Sequence, residues 1–85
     1  MVSKLVEKVN EKIDNGQYLH VACDCVAGHF MDAVTPDLID VEDGIYIEGE
    51  NLILNITNDE EISIDFDEIE EEFIIHHGNV TYFLS

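Results

Sequence analysis

Apolar residues recur at helical spacing only as far as Ile13, and from Gln17 onward they alternate with polar ones at period two. Val2, Leu5, Val6, Val9 and Ile13 share one stripe of a helix, with Ser3 as its expected N-cap and Asn15-Gly16 as its stop. Beyond it, Leu19, Val21, Cys23 and Cys25 alternate with Tyr18, His20, Ala22 and Asp24, which is how a half-buried strand reads. Further strands are expected over Phe30–Val34, Leu38–Val41, Ile45–Glu48, Leu52–Ile56, Ile62–Asp65, Phe73–Ile75 and Val80–Leu84. The turn signals between them are Ala27-Gly28, Glu42-Asp43-Gly44, Gly49-Glu50-Asn51 and His76-His77-Gly78-Asn79. Pro36 predicts an edge or a bulge, and Asp67–Glu72 a short helical turn or a charged connection. The expectation is one α+β domain over residues 1–85. A helix over about 2–15 packs Leu5, Val9 and Ile13 on a bent antiparallel sheet of five or six strands over about 17–85, with a tendency to curl towards a small barrel.

Charge narrows what such a domain can do. Lys4, Lys8 and Lys12 are the only bases, at i, i+4 and i+8 on the helix, on the side away from the apolar stripe. Against them stand 20 carboxylates, giving a net charge of −17. Lys8 and Lys12 can pair locally at i+3 or i−4, which leaves the distant acids uncompensated. A charge this far from zero works against a compact state by self-repulsion. Hydrophobic content of 46%, rich in Ile, Leu and Val, nevertheless suffices for a core and argues against disorder. Three lysines among so many acids disfavour direct binding to nucleic acid. No apolar run approaches the roughly 20 residues of a membrane span, and no apolar leader with a small-residue cleavage site opens the chain, so a cytoplasmic location is expected. Cys23 and Cys25, two apart, fit a reduced compartment better than a disulfide framework.

Along a strand, residues i and i+2 project from one face about 6.6 Å apart. Duplex DNA repeats its phosphates on a comparable scale, with one charge per about 1.7 Å of axis over both strands. Asp40/Glu42, Glu48/Glu50, Asp59/Glu61 and Asp65/Asp67 have this sequence spacing, and Asp67, Glu68, Glu70, Glu71 and Glu72 form the densest run. With Asp43 and Glu60 these acids are the candidate partner-contacting set. The plainer alternative is that they are ordinary solvated faces of strands and turns, although such surfaces normally mix both signs. In size and charge the chain resembles the small acidic DNA-mimic inhibitors of bacteriophages, among them anti-CRISPR proteins, anti-restriction proteins and uracil-glycosylase inhibitors. The resemblance carries no residue-level motif. It implies a non-enzymatic inhibitor that covers the basic DNA-binding surface of a bacterial defence nuclease, a CRISPR effector foremost, in the cytoplasm of the bacterial host. Tyr46 or Tyr82 is the expected apolar anchor within the charged rim if exposed, the alternative for either being a place in the core.

One other chemistry has candidate residues in the sequence. His20, Cys23, Cys25 and His29 offer nitrogen and sulfur donors suited to zinc. If the segment is a strand, His20 points away from both cysteines, and small buried cysteines are the plainer reading. No phosphate-cradling Gly loop, G-x-S-x-G or H-E-x-x-H is present, so neither an enzyme nor a cofactor is expected. The alternative function is a small acidic interaction or dimerisation module, zinc-stabilised or not.

Overall fold

The computed structural model describes every residue from Met1 to Ser85. Helix α1, Val2–Asn15, precedes eight strands: β1 Leu19–Cys25, β2 Gly28–Val34, β3 Pro36–Asp40, β4 Ile45–Gly49, β5 Ile53–Ile56, β6 Ile62–Asp67, β7 Glu72–His77 and β8 Val80–Leu84. The helix begins one residue before Ser3, so its N-cap is Met1, which makes no side-chain capping bond. It ends as its sequence dictates. Gly16 turns left-handed at φ 62, its N–H donates to the Ile13 carbonyl, and Gln17 donates to that of Lys12.

The α+β architecture holds, but the strands divide into two antiparallel sheets instead of one bent sheet of five or six. The larger has the order β2-β1-β8-β7-β6 and the smaller β3-β4-β5. The division falls at Thr35, between the last residue of β2 and Pro36. Proline lacks the N–H that a continuing ladder needs. Pro36 therefore opens a new edge strand, with a register irregularity between it and Leu38. The chain closes the larger sheet through its ends: β1 pairs with β8, and His20 exchanges both backbone hydrogen bonds with Ser85.

One core serves both sheets and the helix. Leu5 and Val9 from α1 meet Leu19, Val21, Val34, Phe73, Ile75 and Leu84 from the larger sheet and Ile45, Ile47 and Ile56 from the smaller. The helix lies against β3, and Lys4 reaches the ring of Phe66 on β6, 3.9 Å from its centroid. It thus bridges the two edge strands β3 and β6. Because both sheets turn most of their Ile, Leu and Val to this core, their acids are driven to the opposite faces and to the connections.

Candidate partner-binding surface

The β6–β7 hairpin carries the densest acids. Ile62, Ile64 and Phe66 point inwards from β6, so Ser63, Asp65 and Asp67 point outwards. On β7 the buried Phe73 and Ile75 leave Glu72, Ile74 and His76 on that outer face. The register places Asp67 opposite Glu72 and Asp65 opposite Ile74. Two carboxylates thus face each other across the ladder, about 5 Å apart at Cβ, and a third follows along β6, a combination that opposes folding. A tilted Phe66–Phe73 pair, 4.7 Å between centroids, anchors the hairpin from beneath.

Residues 68–71 connect the two strands as a charged turn. Asp67 shapes it by accepting the N–H of Ile69 at 3.0 Å and of Glu70 at 3.3 Å. Glu71 adopts a left-handed φ of 52. Ile69 stands at the tip, 92% exposed, with acids on both sides. It was not among the expected anchors. Its signal was present, since it is the lone apolar residue in the otherwise wholly acidic run D-E-I-E-E-E.

The remaining acids lie elsewhere. On the outer face of the smaller sheet, Asp40 is opposite Tyr46, with Asn55 beyond, and Glu48 lies between Leu38 and Ile53. Glu50 sits in the β4–β5 turn. Glu42 and Asp43 occupy the β3–β4 turn, and Asp59, Glu60 and Glu61 the β5–β6 connection. These two connections meet, because Gly44 packs on the Ile56 carbonyl and near the Asn58 nitrogen. The β7–β8 turn joins the same end, with Gly78 against the Glu60 carboxylate. Of the four i, i+2 pairs, only Asp65/Asp67 lies wholly within a strand. Asp40/Glu42 and Glu48/Glu50 straddle a strand end, and Asp59/Glu61 lies in a connection. The other three therefore lack the strand geometry on which their even spacing depended. Asp40 is also engaged locally, accepting the N–H of Glu42 at 2.9 Å.

Little compensates these charges. The contacts between opposite charges are Lys8–Glu11 at 3.8 Å, within the helix, and His77–Asp59 at 3.2 Å, which is an ion pair only when the imidazole is protonated. Asp59 alone among the candidate acids is thereby paired. The lysine row is not a wholly solvated face, however. Lys4 covers Phe66, and Lys8 and Lys12 line a cavity of about 510 Å³ together with Glu70, Glu71 and Phe73. Glu70 and Glu71 therefore sit in the lysines' field, whereas Asp65, Asp67 and Glu72 face away from it. Salt should then stabilise the fold by screening repulsion that ion pairing does not relieve. Raising NaCl from about 10 to about 200 mM is expected to increase Tm, and a falling Tm would contradict the charge distribution.

Asp59 fastens the β5–β6 connection to the larger sheet. The Thr57 hydroxyl donates to it at 2.6 Å and His77 Nε2 lies 3.2 Å away. These contacts, the hydroxyl first, hold the Asp59 carboxyl below the ordinary range. A carboxyl depressed in the folded state adds stability above its unfolded pKa, and that contribution fades as pH falls through the folded value. Asp59→Asn is therefore expected to lower Tm at neutral pH. The gap from wild type should close as pH drops below about 4, and a gap independent of pH would show that the carboxylate does not act this way.

Cys23 and Cys25 share one face of β1 with the buried Leu19 and Val21, whereas His20 and His29 lie on the other. The four do not converge, and no three His, Cys, Asp or Glu side chains are placed to hold a metal ion. Burial and the neighbouring Cys25 push the Cys23 thiol up. Burial also raises the Tyr82 hydroxyl, whose ring packs on the core beside both cysteines. Tyr82 is thus a packing residue, whereas Tyr46 lies half-buried on the outer face of the smaller sheet. No family model matches the chain, and neither do any of the curated proteins or solved structures with which it was compared. No helix is long and apolar enough to cross a membrane.

Proposed function

We propose that the protein is a non-enzymatic inhibitor whose carboxylates take the place of DNA phosphates on a basic DNA-binding protein. A bacterial defence nuclease, a CRISPR effector foremost, is the target we favour, met in the cytoplasm of the bacterial host. The observation that carries the proposal is the outer face of the β6–β7 hairpin. Asp65, Asp67 and Glu72 form an acidic triangle there without a cationic partner, with exposed Ile69 at the tip. A sequence free to optimise stability alone would not set Asp67 against Glu72. Their opposition makes sense when a partner's Arg and Lys supply the missing counter-charge, with Ile69 filling an apolar recess between them.

The mechanism is competition. The acidic field steers the protein to a cationic groove, and the contacts then occupy the groups that otherwise grip phosphate. Affinity should fall steeply with salt, because association exchanges mobile ions for fixed ones. Capture from a bacterial lysate at low and high ionic strength tests the partner class. A DNA-binding protein retained at low salt and released at high salt is the expected result. Retention of acidic or nucleic-acid-free partners that resist salt would overturn it.

A further inference from the structure

Independently of that reading, β2 presents an exposed strand at the edge of the larger sheet. Every residue from Gly28 to Ala33 is exposed, with Phe30 at 60% and Met31 at 76%. The hairpin therefore projects beyond the core, and its outer backbone edge has no neighbour. Edge strands are normally defended against such pairing. Here β3 has Pro36, an irregular register and the helix beside it, β6 has Asp65, Asp67 and the Lys4 contact, and β5 is only four residues long. By contrast, β2 runs seven residues in unbroken register with β1, free of Pro and Lys.

Charge decides what can approach it. Residues 15–36 carry two of the 20 acids, Asp24 and Asp32, and residues 37–72 carry fifteen. A strongly basic partner is drawn elsewhere, and two copies at −17 each can meet with least repulsion at this end. The backbone then fixes how. His20 directs its hydrogen bonds to Ser85, away from β2, so by alternation His29, Met31 and Ala33 of β2 turn theirs to the free edge. The Ala33 N–H is already taken by its neighbour, Asp32 Oδ1, at 2.8 Å. His29 and Met31 are left with both groups free.

We propose that two copies pair through β2, antiparallel about a two-fold axis at Phe30, joining their larger sheets into one. His29 of each strand exchanges hydrogen bonds with Met31 of the other. The two Phe30 rings face each other at the intervening non-hydrogen-bonded position, where side chains come closest. Asp32 lies opposite Gly28, so no like charges are juxtaposed. Centring the pair on Met31 instead would require the occupied Ala33 N–H and would set Phe30 against Asp32, which disfavours that register.

Sedimentation and amide exchange test this together. The expected molar mass is twice that of the 9.6 kDa chain, and dimerisation should strengthen as salt screens the repulsion, opposite to binding of a basic target. The His29 and Met31 amides should exchange at least about tenfold more slowly as protein concentration rises. Phe30→Lys sets like charges face to face, and Met31→Pro deletes an edge donor not used within the chain. Both variants should be monomers with unchanged circular dichroism. A monomeric wild type at the highest soluble concentration would overturn the proposal. So would a dimer that both folded variants retain, or one without protection of His29 and Met31.

Discussion

The triple variant Asp65→Lys, Glu68→Lys, Glu72→Lys is expected to lose at least about a hundredfold in affinity for a basic partner while the fold becomes firmer. The two effects share a cause. Glu72 faces Asp67 across the β6–β7 ladder, so lysine at 72 turns a like-charge pair into an attractive one. That change is worth about 0.5–1 kcal/mol, and a few degrees in Tm for a domain of this size. Asp67 is left intact because it holds the turn through the Ile69 and Glu70 amides. An ordinary solvated face would also gain stability but would lose no binding. Affinity unchanged in a more stable variant would therefore reject the hairpin as the contact surface. Glu42→Lys with Glu50→Lys, far from this hairpin in the chain, should weaken binding less if Asp65, Asp67 and Glu72 form its centre.

Gly44→Ala is expected to cost roughly 3 kcal/mol or more, a large fraction of the stability of a small domain. Gly44 has φ 99, and a Cβ there would run into the Ile56 backbone carbonyl and crowd the Asn58 nitrogen. Neither obstacle is a side chain that can swing aside. Gly16 is the control: it is also left-handed, at φ 62, but nothing lies near its missing Cβ. Its alanine variant should lose only about 1 kcal/mol, the cost of the conformation alone. Urea denaturation of both variants separates the two cases. Equal losses would mean that the β3–β4 turn does not bear on β5 as described.

Periodicity was enough to place the helix, its stop at Gly16 and most strands, because a two-fold or 3.6-fold repeat follows directly from which face is buried. Pro36 likewise announced an edge or a bulge through its missing N–H, and it opens an edge strand with an irregular register. The pairing of β1 with β8 was not legible, since hydrogen bonds between distant strands leave no local pattern. The separation into two sheets was hidden for the same reason, and the start of β2 at Gly28 leaves no periodic signal because both faces of residues 28–33 are exposed. At the candidate surface, the sequence displayed the acids but not their grouping. Even spacing in sequence became even spacing in space only for Asp65 and Asp67. The opposition of Asp67 to Glu72 depends on the length of the turn, and Ile69 became meaningful only once that turn placed it at the tip.

The most direct measurement is a competition between this protein and duplex DNA for one purified CRISPR effector, or for whichever basic protein the capture experiment retains. If carboxylates occupy the phosphate sites, the two ligands exclude each other. Increasing duplex then raises the apparent Kd of the protein in proportion, and the logarithm of affinity falls linearly with that of salt. A stable ternary complex, with protein affinity unaltered by saturating duplex, would contradict phosphate mimicry.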